Sequence, residues 1–140
     1  FSIDDETGDM WLGDVGDSER EEIDRVPAGA QGANLGWYWF EGTRQRVAGA
    51  PADVLPPVWE YTHETGYAVV GGFAYRGSAI PALRGAYVFG DVNGTLWALG
   101  ADGVHTLPVA FKTLVAFGEA PDGELWVADH YGTVARLVPG

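Results

Sequence analysis

Residues 11–24, WLGDVGDSEREEID, concentrate the chemistry of this 140-residue chain. A short apolar segment at 10–12 runs into a glycine-containing turn at 13–16, and a strand of alternating character follows at 22–26. Glycines let the backbone turn tightly and expose its carbonyl groups, while the neighbouring carboxylates supply the hard oxygen donors that divalent cations bind. The pattern predicts a β-hairpin that ends in either a cation site or a solvated acidic rim.

A second local pattern, a turn followed by a tryptophan-bearing strand, occurs three times along the chain. A turn residue and a glycine precede a tryptophan-bearing strand at 7–12, 93–99 and 122–128. Asn-Gly and Asp-Gly pairs are strong hairpin signals, which we interpret as type I′ turns with positive φ at both central residues. The tryptophans are flanked by apolar residues, so we expect these strands to be buried on both faces. With no helical periodicity of useful length, the recurrence predicts an all-β repeat fold.

The composition restricts the classes of function. The net charge is −12, from 20 acidic and 8 basic residues, and ten of the acids lie within the first 24 residues. Such a surface repels phosphate backbones and anionic lipid headgroups, so we expect no nucleic-acid or membrane partner. The absence of cysteine excludes disulfides and thiolate metal sites. His63 and His130 have no partner at the sequence spacing of a triad or metal site, which favours solvent-facing roles.

Strand counting divides the chain into three units. Residues 57–111 hold one complete four-stranded unit, 1–56 an incomplete unit with a long loop, and 112–140 an incomplete C-terminal unit. In the loop, four consecutive aromatics at 37–40 precede Glu41, which suits either stacking on a sugar ring or plugging the end of a β architecture. Open sheet edges are an aggregation hazard. The pattern therefore predicts a β-propeller of four-stranded antiparallel blades, with about three blades, half of a six-bladed ring, in this chain.

Seven motifs follow one another along the chain. They are GDVG…EEID (13–24), NLGW…EG (34–42), PVWEY (57–61), GGFAYRG (71–77), PALRGAYVFGD (81–91), FGE…PDGELWV (117–127) and GTVARL (132–137). Together they resemble the C-terminal part of the glucose/sorbosone dehydrogenase family, which includes soluble aldose sugar dehydrogenases that use pyrroloquinoline quinone (PQQ) and the propeller of hedgehog-interacting proteins. The resemblance implies a six-bladed propeller, PQQ held through calcium, a sugar ligand, and a secreted or periplasmic location.

The resemblance also implies a set of calcium ligands. The backbone carbonyls of Gly16 and Asp17 correspond to those that hold the cofactor's calcium ion. A second calcium ion corresponds to Glu22, the carbonyl of Leu35 and Glu41. Calcium prefers such oxygen-only ligation by carboxylates and carbonyls.

The residues that bind the quinone in the family are not matched. Val92 and Asn93 stand where a lysine contacts PQQ, and Thr113 and Val115 stand where an Arg-x-Arg pair binds its carboxylates. The family's catalytic histidine belongs to the first half of the propeller, so no catalytic or quinone-binding residue is assigned. We expect part of a calcium-binding, dehydrogenase-like propeller that is inactive alone. The alternative is a non-catalytic module that binds carbohydrate or protein and closes a ring with a second copy or with the other propeller half.

Overall fold

The computed structural model describes residues 1–140 and contains thirteen β-strands and no α-helix. The strands are β1 (Ser2–Ile3), β2 (Met10–Asp14), β3 (Arg20–Val26), β4 (Phe40–Glu41), β5 (Arg44–Gln45), β6 (Trp59–Thr62), β7 (Val69–Ala74), β8 (Tyr87–Asp91), β9 (Thr95–Gly100), β10 (Gly103–Ala110), β11 (Leu114–Glu119), β12 (Leu125–Asp129) and β13 (Val134–Arg136). One turn of 3-10 helix spans Pro81–Leu83. The all-β prediction is confirmed. No helix is long and apolar enough to cross a membrane.

Three antiparallel sheets follow one another along the chain. The first has the order β1-β2-β3-β6, the second β10-β9-β8-β7, and the third β11-β12-β13, while β4 and β5 form a separate small hairpin. Neighbouring sheets pack against each other, because β2, inside the first sheet, contacts the edge strand β7 of the second, and β7 contacts the edge strand β11 of the third. The second sheet, β7 to β10, is a four-stranded unit that lies within the predicted range 57–111.

The strand β6 is grouped differently from the prediction. It was expected to belong to the unit at 57–111, but it pairs with β3 in the first sheet, with Ile23 opposite Trp59 and Arg20 opposite Thr62. The first sheet is therefore four-stranded rather than incomplete, and the second begins at Val69. The reason is that β3 has a free edge until the chain returns from the long loop that follows Val26.

Three turns before tryptophan-bearing strands share one geometry. Each places a glycine at positive φ: 76° at Gly8, 95° at Gly94 and 76° at Gly123. No other residue type has a positive φ, so the type I′ assignment, which needs two such residues, is wrong. Instead, the residue before each glycine accepts a hydrogen bond from the N–H two positions ahead; these acceptors are Thr7, Asn93 and Asp122. Short polar side chains are therefore selected here as local acceptors.

Two apolar clusters fill the spaces between successive sheets. Between the first and second sheets, the Trp11 ring stacks on Tyr87 with centroids 4.7 Å apart. Between the second and third, Val88, Leu114 and Leu125 are fully buried. Burial of this apolar area from both sides makes the second sheet the centre of the fold.

The third sheet has one uncovered face. Trp11 and Trp97 are buried, as predicted, but Trp126 is 41% exposed. Val134, on the same face of the adjacent strand β13, is 66% exposed. No further sheet covers this side of β12 and β13, so the expectation that all three tryptophan strands are buried on both faces is wrong for β12.

Gly13 lies inside β2, opposite Ile23, rather than in the predicted turn. A Cβ atom at this position would lie 2.8 Å from the main-chain nitrogen of Gly71 and 2.9 Å from its Cα. The two sheets therefore approach backbone to backbone, which only glycine permits.

We predict that Gly13→Ala lowers the free energy of unfolding by about 2 kcal/mol, because the added methyl group overpacks the contact between β2 and β7. Chemical denaturation measures the change. Gly118→Ala is the matched control, since no atom lies within 4 Å of a Cβ built there. It should stay within about 0.5 kcal/mol of the wild type. Equal stabilities of the two variants would refute the close approach.

Candidate functional site

A cavity of about 400 Å³ opens where the β2–β3 hairpin ends. Its lining consists of Asp14, Val15, Gly16, Asp17, Glu22, Leu35, Trp37, Phe40 and Glu41. All five residues that the sequence analysis assigns to calcium are in this set. The long loop supplies Leu35 to Glu41, and the hairpin supplies the rest. Residues more than 20 positions apart in the chain are thus brought to one place.

The strand register aligns carboxylates on one face of the hairpin. Asp14 on β2 lies opposite Glu22 on β3, and Glu22 lies opposite Glu60 on β6. Asp24 is two residues beyond Glu22 and so shares its face, because successive strand residues alternate between faces. Four acids therefore occupy one side of the first sheet, beside the cavity.

These carboxylates carry negative charge that is poorly compensated. Burial, and then the charge of Glu21, raises the pKa of Asp14. Burial also raises the pKa of Glu22, assisted by Asp14 and Glu60 and opposed by one hydrogen bond from the Gly42 N–H. Both shifts mean that the surroundings disfavour the ionised forms of Asp14 and Glu22. Glu60 differs, because Arg20 pairs with it.

Asp24 is the most isolated of these acids. Its residue is fully buried, and neither carboxylate oxygen has a hydrogen-bond partner. Burial, then the charges of Glu22 and Asp14, raises the pKa of Asp24 to about 7. A buried ionised carboxylate without donors is strongly unfavourable, so this group holds its proton over most of the acidic range.

Glu41 has the opposite surroundings. Its Oε1 atom accepts main-chain N–H bonds from Asp17, Ser18, Glu19 and Arg20, at 3.1, 2.7, 2.6 and 3.2 Å. Burial alone would raise the pKa of Glu41, but the amides, with help from Arg46, outweigh it and the pKa is lowered. An oxygen that already accepts four hydrogen bonds is not free to bind a cation. Oε1 of Glu41 thus holds the hairpin loop, and the ligand role predicted for Glu41 is left to Oε2, which lies 3.8 Å from Arg46 Nε.

Arg46 is the cation at the mouth of the cavity. One of its terminal nitrogens donates to Asp17 Oδ2 at 2.9 Å, and its Nε lies 3.8 Å from Glu41 Oε2. Its guanidinium also lies over the Trp37 ring, 4.8 Å from the centroid. One carboxylate oxygen of Asp17 is therefore engaged by Arg46, and its main-chain carbonyl accepts no hydrogen bond from the chain.

The oxygen atoms around the cavity can surround a hard cation only if main-chain carbonyl oxygens are among its ligands. No three histidine, aspartate or glutamate side chains form a group that could hold a metal ion. The carbonyl oxygens of Gly16, Asp17 and Leu35, however, accept no hydrogen bond from the chain. Free carbonyls beside Asp14 and Glu22 give the all-oxygen surroundings that calcium prefers.

The positions that correspond to quinone-binding cations have other roles. Asn93 works within its own turn: its side chain accepts the Thr95 N–H and donates to the Thr65 carbonyl. Thr113 and Val115 carry no charge. Lys112, next to Thr113, lies over the Tyr131 ring at 5.6 Å. None of these residues lines the cavity, and the carboxylates that do line it disfavour an anionic quinone.

One buried contact, between His63 and Glu21, is not predicted from the sequence. His63 is half-buried, and its Nε2 lies 2.9 Å from Oε1 of the fully buried Glu21, whose other oxygen accepts the Val69 N–H. The expected solvent-facing role of His63 is therefore wrong. The two residues are 42 positions apart, and the only signal in the sequence is that Glu21 belongs to a strand with an acid at every position from 21 to 24 except Ile23.

We predict that Asp24→Asn stabilises the chain in the absence of divalent cations. The unfolded chain releases this proton near pH 3.8, whereas the folded chain retains it up to a pH of about 7. The stabilising effect of the proton is full below pH 3.8 and is lost as the pH rises to about 7, and the asparagine avoids this loss. The variant should match the wild type at pH 4 and exceed it by about 2 kcal/mol at pH 8 in denaturant titrations with EDTA.

Asp91→Asn is the matched control. Asp91 is equally buried, but its carboxylate accepts the Tyr61 hydroxyl and the N–H groups of Tyr67, Ala68 and Asn93. The side-chain NH2 group of an asparagine there would face hydrogen-bond donors instead of accepting from them. The free energy of unfolding of this variant should therefore fall by about 2 kcal/mol or more. If Asp24→Asn destabilises to the same extent at pH 8, Asp24 has donors after all.

Comparison with known proteins gives distant relatives. No protein-family profile matches the chain. The HIPL1 protein of Arabidopsis thaliana is 30% identical over an alignment that covers 86% of this chain and 19% of that protein. The HIPL2 protein of the same plant is 28% identical over 69% of this chain and 16% of its own length. The chain therefore spans less than a fifth of the length of these relatives.

Proposed function

We propose that the chain is the calcium-binding, C-terminal part of a β-propeller of the glucose/sorbosone dehydrogenase type, and that it is not catalytic alone. The observation that carries the proposal is the cavity at the end of the β2–β3 hairpin. All five residues assigned to calcium by the resemblance line it, together with Asp14. Its free carbonyls and under-compensated carboxylates support the binding of a hard cation.

The order of the sheets supports the propeller. Three antiparallel sheets succeed one another in the chain, and two of them have four strands. Each sheet packs against the next in chain order, through contacts of β2 with β7 and of β7 with β11, as expected of successive blades around an axis. On the family resemblance, we also propose that the protein is secreted or periplasmic.

The chemistry of the cavity supports calcium but not PQQ in this chain. A quinone with several carboxylates needs cationic donors, each hydrogen bond of that kind being worth about 1.5–3 kcal/mol. The cavity offers Asp14 and Glu22, and its mouth offers Arg46, which is already paired with Asp17. Oxidation of a sugar by this chain therefore lacks both the quinone-binding groups and an assigned proton acceptor.

We predict that calcium raises the melting temperature of the chain. A ligand present at a hundred times its Kd adds about 2.7 kcal/mol to the free energy of unfolding. Glu22→Gln should weaken calcium binding, measured by calorimetry, about tenfold or more, because it removes a charged oxygen. Glu64→Gln removes the same charge from an exposed loop outside the cavity and should leave the affinity within about twofold.

The outcome that contradicts the calcium proposal is an unchanged melting temperature at millimolar calcium. For the quinone, we expect the absorbance of PQQ to be unaffected by the chain, with or without calcium. Oxidation of an aldose by the chain with added PQQ and calcium would overturn the statement that it is not catalytic alone.

A second candidate is a non-catalytic binding module that closes a ring with a second copy of itself. It is favoured by the uncovered face of the third sheet, where Trp126 and Val134 are exposed beside the small residues Ala116, Gly118 and Ala128. Apolar sheet faces of this kind are usually covered. Trp37 and Tyr38, both more than half exposed, support a carbohydrate ligand for such a module.

This candidate predicts a dimer in light scattering, with twice the chain mass of 15.0 kDa. Trp126→Glu should give a monomer, because it places a charge in the proposed sheet-to-sheet contact. Val109→Glu is the matched control: Val109 is about as exposed, at 40% against 41%, but lies on the outer strand β10. A wild-type chain that stays monomeric at high concentration would contradict ring closure by two copies.

A further inference from the structure

The loop between β2 and β3 is wrapped around a single oxygen atom. Four successive N–H groups, those of residues 17–20, converge on Oε1 of Glu41. Successive amides that face one point form a concave anion-binding nest. In this chain the anion is a side chain of the long loop, and Glu41 is only 2% exposed.

The geometry of the peptide group fixes where the carbonyls of this loop face. In a trans peptide, the C=O of one residue and the N–H of the next lie on opposite sides. Because the Asp17 and Ser18 N–H groups face Glu41, the Gly16 and Asp17 carbonyls face away from it. Both residues line the cavity, and neither carbonyl accepts a hydrogen bond from the chain.

Gly16 is required by the same curvature. A Cβ atom there would overlap the Arg20 carbonyl oxygen and lie 3.1 Å from Glu41 Oε1. The loop therefore closes tightly on Glu41, and a larger residue would push the amides off the carboxylate. Arg46, near Glu41 Oε2, adds a second restraint on the anion.

We propose that Glu41 is a positioning residue for the cation site: by seating its carboxylate in the amides of residues 17–20, it turns the Gly16 and Asp17 carbonyls towards a cation that it does not itself touch. The inference rests on the proposed calcium function. It assigns to Glu41 a role distinct from that of a ligand, since its inner oxygen is already saturated with donors.

Amide hydrogen exchange and calcium calorimetry test the proposal together. In the wild type without calcium, the amides of residues 17–20 should exchange at least about tenfold more slowly than those of the exposed residues 48 and 49. In Glu41→Gln, this protection should be lost locally while the strands keep theirs. The Kd for calcium should rise at least about tenfold, because the carbonyls lose their fixed direction.

Two further variants separate charge from geometry. Glu41→Asp keeps the charge but shortens the reach, so it should also lose protection and affinity. Glu19→Gln removes a charge from the same loop at a half-exposed side chain that pairs with Arg44, and it should retain both within about twofold. A purely structural role for Glu41 would lower the melting temperature in EDTA and leave the Kd of the folded fraction unchanged, which would overturn the proposal.

The other outcomes are equally decisive. Protection of residues 17–20 that appears only with calcium would show that the cation, and not Glu41, orders these amides, and it would overturn the positioning role. Fast exchange in the calcium-free wild type overturns it without any variant, even if the Glu41 variants do not fold. Protection without calcium, combined with no calcium binding by the wild type, would instead remove the proposed function and with it the cation that the loop is said to serve.

Discussion

Buried carboxylates that accept main-chain N–H groups hold the ends of the sheets together. Loops without regular structure leave amides that must find acceptors, and a carboxylate satisfies several at once. Asp91 gathers the loop before β7 and the turn after β8, while Glu124 accepts the N–H groups of Ser78 and Ala79 and the hydroxyl of Tyr75. Glu41 does the same for the β2–β3 loop. The sheets supply the core, and these buried acids fix the conformation of the loops that connect the strands.

The acidic composition therefore has two different meanings. Nine of the 20 acidic residues are buried, so the net charge of −12 is not simply a solvated surface. Where amides converge, the carboxylate is stabilised as an anion; the Ala28 N–H, followed by Arg25, lowers the pKa of Asp9, and the Thr133 N–H lowers that of Asp129. Where no amides converge, as at Asp24, the pKa is raised to about 7 and the carboxyl group keeps its proton at acidic pH. The direction of nearby N–H groups, rather than residue type, decides whether the folded chain stabilises the anionic or the protonated form of a buried acid.

Local sequence patterns predict the local structure well. The glycine-tryptophan repeats predict the hairpins, and the hairpin of residues 10–26 forms with its turn displaced, because Gly13 is needed for the contact with Gly71. Long-range pairings are different. No residue near Glu21 in the sequence indicates a contact with His63, and Arg76 binds Asp4, which is 72 residues away. Likewise, β6 finds β3 across the long loop, since an open strand edge selects its partner in space and not in sequence. The residues assigned to calcium meet in one cavity, but whether each is a ligand or an anchor depends on hydrogen bonds that no motif encodes.

The anchor at Glu41 and the proposed cation site are two consequences of one backbone conformation. A run of amides cannot turn its N–H groups inward without turning carbonyl oxygens outward, because each peptide group is planar and trans. An anion on the inner side and a cation on the outer side are then each matched to the dipoles they face. Asp14 and Glu22 stand on the outer side, where they add charge to the carbonyls of Gly16 and Asp17, and no arginine or lysine lines the cavity to offset them. A cation on the outer side would offset these charges, so the loop that explains the burial of Glu41 also supports the proposed calcium-binding role.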